Sequence, residues 1–376
     1  MPNFKLILPI ALLMAMWLLP CVSHARHAAI LIDAGNGKVI HETDATHAWY
    51  PASLTKVMTL YMTFSALNDG SLHLNDMLTT SPYAATQPNS KLGLRTNENL
   101  TVEEAILAVI TRSANDAAVV LAEHIGGSET NFAVKMTTKA HELGMFDSHF
   151  MNATGLPHDW QVTTPRDMAL LAWKTQRHFP QYYPYFSAHS LHFRGREWPG
   201  INKFTAHYPG AEGMKTGFTC GSGYNLISSA SQNGRRLIGV VMGGMTSGER
   251  YQLMTRLMDN GFENPYSNGQ NIITMHNGFS GLPPYQLSCG NHASEAMASY
   301  PARHNTHHTT NHHTAPHKSA AIIRLSRKNH YSTPKHPLVI ATHSHPIIGK
   351  HKATAKAKLQ SKGNSKKTRY LGIARR

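Results

Sequence analysis

Cysteine is scarce in this chain of 376 residues, which contains only Cys21, Cys220 and Cys289. Three cysteines are too few for a disulfide framework. If an amino-terminal segment that holds Cys21 is removed during export, the other two remain and could pair in an oxidising compartment. Two free thiols fit the sequence equally well. The sequence therefore gives no basis for a fold held together by disulfides.

Long apolar runs are also lacking beyond the first twenty residues, so no later stretch approaches the length of a membrane span. Lys5 precedes an apolar run from Leu6 to Leu19, and Ser23-His24-Ala25 follows it. This pattern is typical of a secretory signal at residues 1–25 with cleavage near Ala25. An uncleaved anchor is the alternative. We expect an exported protein, in the periplasm or on the cell-wall side of the cytoplasmic membrane.

Acidic residues are absent from residues 301–376, which contain 16 Lys and Arg residues. This stretch carries a formal charge of +16, against +15 for the whole chain, so the remainder is close to neutral. Its few scattered apolar residues predict a disordered basic tail. Such a tail could hold the protein near anionic wall polymers or lipid head groups. We expect no nucleic acid as a partner after export.

Eleven histidines occur between His304 and His351 in this tail. Histidine is a common metal ligand, but the irregular spacing does not match that of a defined metal site. A solvated linker without a specific partner is the simpler interpretation. We therefore expect neither a metal nor an organic cofactor.

Strand patterns lie at both ends of the ordered part and helical patterns lie between them. Residues 28–33 and 38–40 predict an opening hairpin, and residues 212–218, 224–229 and 237–242 predict three closing strands. A last helix is predicted at about residues 248–259. The result is an α/β (α+β) fold with one antiparallel sheet flanked by helices. It would fill residues 26–262, followed by a short extension of uncertain structure at 263–300.

The stretch Tyr50-Pro-Ala-Ser-Leu-Thr-Lys56 places a polar pair at the start of an otherwise apolar helix. Ser53 and Lys56 are three residues apart, so their side chains lie on one helix face within reach of each other. A hydroxyl beside an amine suits nucleophilic catalysis if burial or a second cation keeps the lysine neutral. The pattern also arises by chance, since Ser332-Thr-Pro-Lys335 repeats it without apolar periodicity.

Two further motifs each give a weak signal alone. The side chains of Ser113-Ala-Asn115 would diverge on a regular helix, so this motif would work best on a short loop between helices. Ser231-Gln-Asn233 repeats it at a turn. Lys215-Thr-Gly217 opens a predicted strand, where a lysine, a hydroxyl and an open space beside glycine suit recognition of a carboxylate. Ordinary helix and strand positions are the alternative interpretations.

Together and in this order, the three motifs are those of class A β-lactamases and penicillin-binding proteins. The sequence around them resembles the D-alanyl-D-alanine carboxypeptidases, the low-molecular-mass penicillin-binding proteins, over about residues 27–262. The stretches that carry the resemblance are Tyr50–Lys56, Arg112–Ala117, Asn152–Pro157 and Gly213–Thr219. The resemblance implies a β-lactamase/penicillin-binding-protein-like fold and a serine peptidase. Its substrates would be peptidoglycan stem peptides, and β-lactam antibiotics would inhibit it.

The resemblance also implies a role for each matched residue. Ser53 would be the nucleophile, Lys56 would take its proton, and Ser113 would relay a proton towards the leaving amine. The implied substrate-binding residues are Asn115, Lys215, Thr216, Gly217, Phe218 and Arg250. Lys215 and Thr216 would bind near the terminal carboxylate, and the N–H groups of Ser53 and Phe218 would form the oxyanion hole. An exposed arginine in a salt bridge explains Arg250 nearly as well.

Other functions stay open at this point. A DD-endopeptidase would cut peptide cross-links with the same residues, and a non-catalytic wall-binding scaffold would use the basic tail. A β-lactamase is less favoured because no acidic deacylation motif is evident. We also find neither the small β-rich domain nor the amphipathic carboxy-terminal helix of many family members, so membrane attachment by that helix is in doubt.

Overall fold

The computed structural model describes residues 27–264 and 269–276, together with residues 267 and 283. The predicted signal segment at residues 1–25 and the predicted basic tail at residues 301–376 lie outside the described residues. Among the residues that are described, no helix is both long and apolar enough to cross a membrane.

The two ends of the domain share one five-stranded antiparallel sheet, as the sequence predicts. Its strands follow the order β2-β1-β9-β8-β7. Asn233 and Gly234 both have positive φ, of 50° and 76°, which is the conformation of the tight turn predicted between the last two strands. The strands are β1 (Ala28–Asp33), β2 (Val39–Thr43), β7 (Ala211–Thr219), β8 (Gly223–Gln232) and β9 (Arg235–Gly244).

Eight α-helices lie within the described residues. The larger apolar core lies on one face of the sheet and reaches through the helical middle of the chain, whereas a smaller core lies between the other face and the last helix. Alternate residues of β1 divide between them, with Ile30 and Ile32 in the larger core and Leu31 in the smaller. The helices are α1 (Thr55–Asn68), α2 (Pro82–Ala85), α3 (Val102–Thr111), α4 (Asn115–Gly126), α5 (Glu129–Glu142), α6 (Pro165–His178), α7 (Lys203–His207) and α8 (Ser247–Glu263).

Helix α1 is buried on nearly every side, because α4, α5 and α6 all pack against it. Its apolar side chains Val57, Leu60 and Phe64 are fully buried. This environment explains how the helix can carry the buried amine of Lys56 at its start: the surrounding helices exclude water, and Asn115 of α4 supplies a polar partner there.

Helix α8 extends four residues beyond the predicted end at Asp259. Asn260 and Gly261 read as a stop signal in the sequence. Gly261 stays helical because α8 lies directly on the sheet there, and a Cβ on this residue would be 2.2 Å from Leu31 Cδ2. The glycine permits close packing and does not end the helix.

Two short two-stranded sheets fill stretches that the sequence presents as mixed or irregular. Strands β3 (Met77–Thr79) and β4 (Asn99–Thr101) form one, and β5 (Ser190–Phe193) and β6 (Arg196–Pro199) form the other. The β5–β6 hairpin lies beside the end of α3, where Arg112 Nη1 donates to Pro199 O at 2.7 Å. It therefore flanks the loop that carries Ser113.

The segment 269–276 returns to the domain after α8. Val39 N donates to Gln270 O at 3.0 Å, and Ile272 N donates to Gly37 O at 2.8 Å. Part of the extension that the sequence leaves uncertain thus packs against the opening hairpin of the domain. Cys220 is disulfide-bonded, which excludes the alternative of a free thiol at this position. Cys21 and Cys289 both lie outside the described residues, so the pairing of Cys220 with Cys289, which the sequence left open, stays a hypothesis.

Candidate active site

Ser53 lies in a 3-10 turn, Ala52–Leu54, that leads directly into α1. The sequence predicts the residue at a helix start, and the structure places it in this tighter turn just before the helix. The side-chain amide of Asn225 holds the turn by donating to Tyr50 O at 3.0 Å and to Pro51 O at 3.2 Å. The helix therefore begins at a site that is fixed from the sheet.

Lys56 is fully buried and its amine lies at the centre of a polar cluster. Nζ lies 3.2 Å from Ser53 Oγ, 2.7 Å from Asn115 Oδ1 and 2.5 Å from the carbonyl oxygen of Thr154. A neutral amine has two N–H groups and one lone pair. If the N–H groups serve Asn115 and Thr154, the lone pair faces the Ser53 hydroxyl.

Burial lowers the pKa of Lys56 well below its usual value, and the nearby charge of Lys215 lowers it further. The carboxylates of Glu129 and Asp116 act in the opposite direction, but their effect is smaller. This is the balance that the sequence analysis required, with burial and a second cation keeping the amine neutral. Lys56 can therefore accept a proton from Ser53.

Ser113 lies on the short loop between α3 and α4, which confirms the prediction that this motif works best outside a regular helix. Its φ is 55°, a left-handed conformation that is uncommon for a residue with a side chain. This turn brings Ser113 to Lys215, whose Nζ donates to Ser113 Oγ at 2.9 Å. Asn115, two residues later, is directed instead at Lys56.

Lys215 lies on β7, the edge strand that borders the helical layer, and only 1% of its surface is exposed. Burial lowers its pKa to about 7, with a further contribution from the positive charge of Arg250. Besides Ser113, its Nζ donates to Thr216 O at 2.9 Å. Lys215 can thus carry a proton at neutral pH while Lys56 stays neutral.

Gly217 brings β7 into contact with the Ser53 turn. A Cβ on this glycine would lie 3.1 Å from Ser53 N and 3.2 Å from Leu54 N. Only a glycine allows the strand to approach so closely without displacement. Phe218 follows on the strand, where its ring is 44% exposed and stacks on Tyr224 with centroids 4.1 Å apart. The N–H groups expected to form the oxyanion hole therefore belong to two segments in direct contact.

Arg250 lies in the first turns of α8 and is only 6% exposed, which excludes the alternative of an exposed salt-bridge arginine. Its Nη1 donates to Gly217 O and to Asn225 O, both at 3.3 Å, and its Nη2 donates to Tyr251 Oη at 2.8 Å. No carboxylate pairs with it in the described part of the chain, and burial lowers its pKa. The guanidinium is thus a cation behind Gly217 without a counter-ion.

The model of the D-alanyl-D-alanine carboxypeptidase family, peptidase family S11, matches residues 19–246. The chain belongs to this family. The match includes every motif that brought the resemblance to notice, and it confirms that resemblance.

Individual members of the family are also similar to this chain in sequence. The chain is 34% identical over 246 residues to the D-alanyl-D-alanine carboxypeptidase DacF of Bacillus subtilis, covering 64% of this chain and 63% of DacF. It is 35% identical over 242 residues to DacC of Escherichia coli, covering 62% of this chain and 60% of DacC. The chain thus spans about three-fifths of the length of the curated relatives that it matches.

Solved structures of the family share the fold. Penicillin binding protein 5 from Haemophilus influenzae aligns with a TM-score of 0.61 at 34% identity, covering 63% of this chain and 70% of that one. Penicillin-binding protein D2 from Listeria monocytogenes, solved in a cefotaxime-bound form, aligns with a TM-score of 0.59 at 29% identity. The alignment covers 65% of this chain and 99% of that one. The predicted fold class is confirmed.

Several residues of the site have no role in the sequence analysis. Thr154 supplies a carbonyl oxygen to Lys56, and Gly155 packs so closely that a Cβ would lie 1.8 Å from Ala52 O. Asn152 Oδ1 shapes this turn by accepting from the N–H groups of Thr154 and Gly155. The Asn-x-Thr-Gly sequence is the signal that could have indicated a tight turn here. Asn225 gives no such signal, because a strand irregularity directs its side chain.

No group of three or more His, Cys, Asp or Glu residues that could hold a metal ion is found among the described residues. The histidines of the tail lie outside those residues, so the expectation about them stays a prediction. The family site described above consists of amines, hydroxyls, amides and a guanidinium.

Proposed function

We propose that this protein is a serine-type D-alanyl-D-alanine carboxypeptidase that removes the terminal D-alanine from peptidoglycan stem peptides. The observation that carries the proposal is the buried Lys56 amine, 3.2 Å from Ser53 Oγ and oriented by Asn115 and Thr154. Membership of the family and the names of the relatives support it.

Acylation follows from this arrangement. The Lys56 amine accepts the hydroxyl proton as Ser53 Oγ attacks the carbonyl carbon between the two terminal D-alanines. The negative charge on the carbonyl oxygen is stabilised by the N–H groups of Ser53 and Phe218. The peptide C–N bond then breaks, and the proton that Lys56 took from Ser53 reaches the leaving D-alanine nitrogen by way of the Ser113 hydroxyl. An ester on Ser53 and a neutral Lys56 amine remain.

Deacylation uses the same base. A water molecule attacks the ester carbonyl and gives a proton to Lys56, and Ser53 Oγ regains a proton as the ester bond breaks. The products are the shortened peptide and a free enzyme in its starting protonation state. A β-lactam that mimics the substrate would form the ester and then stall at this stage.

Substrate recognition is assigned to the edge of β7. The Lys215 amine and the Thr216 hydroxyl would bind the terminal carboxylate, with the guanidinium of Arg250 adding positive charge behind Gly217. The Thr216 side chain makes no hydrogen bond to another described residue, so it is available for this contact. Asn115 would hold the substrate amide on the opposite side of the cleft.

The deciding experiment is intact-mass analysis of the purified protein after incubation with penicillin. We expect one penicilloyl adduct on the wild type and none on Ser53→Ala. Ser332→Ala is the matched control, since it alters the second Ser-x-x-Lys match and should keep the adduct. A folded wild type that neither takes the adduct nor consumes penicillin would contradict the proposal.

Product analysis then separates the carboxypeptidase from an endopeptidase with the same residues. Release of free D-alanine from uncross-linked stem peptides supports the carboxypeptidase. Loss of cross-linked dimers without that release would assign the endopeptidase reaction instead.

We also propose that the protein is exported and that its basic tail interacts with anionic wall polymers or lipid head groups, and not with nucleic acid. The proposal rests on the apolar run and the Ser23-His24-Ala25 sequence at the amino terminus, and on the net charge of residues 301–376. The mass of the protein recovered outside the cytoplasm would test the first part. We expect a mature chain that begins near Arg26.

A further inference from the structure

Residues 88–98, between α2 and β4, lie against the start of α4 and contact Asn115 directly. The backbone N–H of Asn115 donates to Ser90 O at 2.7 Å, and its side-chain Nδ2 donates to Pro88 O at 2.9 Å. Because Nδ2 is directed at the 88–98 segment, Oδ1 is directed the other way, at Lys56 Nζ. The position of this segment therefore determines which atom of Asn115 meets the catalytic amine.

Asp116, the next residue, is fully buried and holds the same segment through its carboxylate. Oδ1 accepts from Leu92 N at 3.0 Å and from Ala117 N at 2.9 Å. Oδ2 accepts from Gly93 N at 2.8 Å and from Leu94 N at 3.0 Å. Four N–H donors offset the cost of burying the charge, and three of them belong to the 88–98 segment.

A second contact holds the segment from the other side. Arg194, on the turn between β5 and β6, donates from Nη2 to Gly93 O at 3.1 Å and forms an ion pair with Glu98. Gly93 is thus bound through its N–H by Asp116 and through its carbonyl by Arg194. The Asp116 contact is buried, whereas the arginine is partly exposed, so the carboxylate is the stronger of the two.

We propose that Asp116 is a positioning residue for the reaction at Ser53. It binds the N–H groups of residues 92–94, this keeps the 88–98 segment against Asn115, and Asn115 in turn orients Lys56. The inference rests on the proposed function, because it assigns Asp116 a part in forming the Ser53 acyl-enzyme. A shift of the amine by about 1 Å would slow acylation by about 10²-fold.

The substitution Asp116→Asn tests this with almost no change of shape. Whichever way the new amide is turned, its NH2 group faces backbone N–H donors, so about half of the four hydrogen bonds are lost. Asp76→Asn is the matched control, since Asp76 also accepts a backbone N–H, from His73 at 2.7 Å, but is exposed and is not part of the site.

Stopped-flow acylation by a fluorescent penicillin gives the first readout. For Asp116→Asn we expect the acylation rate constant to fall about 10- to 100-fold, while the dissociation constant of the non-covalent complex changes less than about threefold. Asp76→Asn should acylate at the wild-type rate. Wild-type acylation by folded Asp116→Asn would overturn the proposal.

The pH profile of acylation gives a readout that a purely structural loss would not move. The negative charge of Asp116 raises the pKa of Lys56, so its removal should shift the acid limb of the profile to lower pH. An unshifted limb, together with equal losses in binding and acylation, would assign Asp116 a structural role only and overturn the proposal.

Arg194→Gln keeps the inference testable if Asp116→Asn does not fold. It removes the charge that holds Gly93 and Glu98 and should lower the acylation rate constant about two- to fivefold, with unchanged non-covalent binding. No change in that rate would count against the proposal. The experiment distinguishes failure of this proposal from failure of the proposed function. A wild-type protein that is not acylated contradicts the proposed function. A wild-type protein that is acylated at the same rate as Asp116→Asn and Arg194→Gln contradicts only the role of Asp116.

Discussion

At the scale of single residues, the site consists of two buried lysines with different electrostatic environments. Burial lowers the pKa of both amines. The positive charge of Lys215 lowers the pKa of Lys56 further, and the positive charge of Arg250 lowers that of Lys215. Protonation of Lys215 therefore keeps Lys56 neutral. In the proposed reaction, Lys56 would act as the base and Lys215 would carry the positive charge that binds the substrate carboxylate.

The pKa of about 7 for Lys215 predicts an alkaline limb in kcat/KM, which reports the free enzyme. Below this pKa the ammonium is present and binds the carboxylate; above it the charge is lost, so kcat/KM should fall about tenfold per pH unit. The measurement is D-alanine release between pH 5 and 10 at low substrate concentration.

Lys215→Arg is the matching variant, because a guanidinium stays charged throughout this range. Its kcat/KM should be lower at pH 6 but should lack the alkaline limb. A wild-type profile that stays flat to pH 9 would show that the charge of Lys215 does not control binding.

Gly155 lies where the structure leaves no room for a side chain. Its φ is +83° and a Cβ would lie 1.8 Å from Ala52 O, so Gly155→Ala must displace the Ser53 turn. Gly70→Ala is the control, with φ of +77° and open space around it. We expect the unfolding free energy to fall by about 1 kcal/mol in Gly70→Ala and by about 3 kcal/mol in Gly155→Ala. Of the two variants, only Gly155→Ala should be acylated by penicillin more slowly than the wild type. Thermal denaturation and intact mass provide the measurements.

At the scale of elements, most helices and strands could be predicted because their patterns are local. Thr101 and Glu104 form a capping box at the start of α3, and the Thr164 side chain caps α6; both are signals of a few neighbouring residues. The end of α8 could not be predicted, since close packing of Gly261 on the sheet decides it. Between α1 and α3 and between α6 and α7 the sequence indicates only short elements or short strands. Their bounds and pairing could not be predicted, because the strands have three or four residues each.

The start of α6 anchors two distant segments through the buried pair Arg166 and Asp167. Arg166 donates to Gly144 O at 2.5 Å and to Ile272 O at 3.0 Å, while Asp167 accepts from Ser148 Oγ at 2.8 Å. This element therefore ties the segment 269–276 to the domain. None of these contacts reaches the catalytic residues.

Asp167→Ala should lower the unfolding free energy by about 3–5 kcal/mol, because it leaves the Arg166 guanidinium buried without its carboxylate. Urea denaturation measures this loss, and acylation of the protein that remains folded should match the wild type. The double variant Arg166→Met with Asp167→Ala should lose less than the sum of the single losses. Additive losses would show that the two side chains are not energetically coupled.

At the scale of the whole molecule, the site lies where edge strand β7 meets the helical layer. The Ser53 turn and the Ser113 loop belong to that layer, and Lys215 belongs to the sheet. We therefore expect catalysis to depend on this domain alone, and the predicted basic tail to be an accessory that acts through charge.

Deletion of residues 301–376 should leave penicillin acylation and D-alanine release from small peptides unchanged. The same deletion should abolish binding to anionic vesicles or isolated wall polymers at low salt, because it removes all 16 Lys and Arg residues of the tail. Sedimentation measures this binding. Addition of salt should weaken wild-type binding in the same assay. Loss of peptidase activity on deletion would contradict an accessory role.

The fold class, the family and the residues Ser53, Lys56, Ser113 and Lys215 could be predicted from the sequence, because periodicity and short motifs are local properties. The chemical properties of those residues depend on how the chain packs. The depressed pKa of Lys56 requires burial by neighbouring helices, and its orientation depends on Asn115 and on Thr154, 98 positions away. Such contacts arise only when distant segments pack, so no local pattern records them.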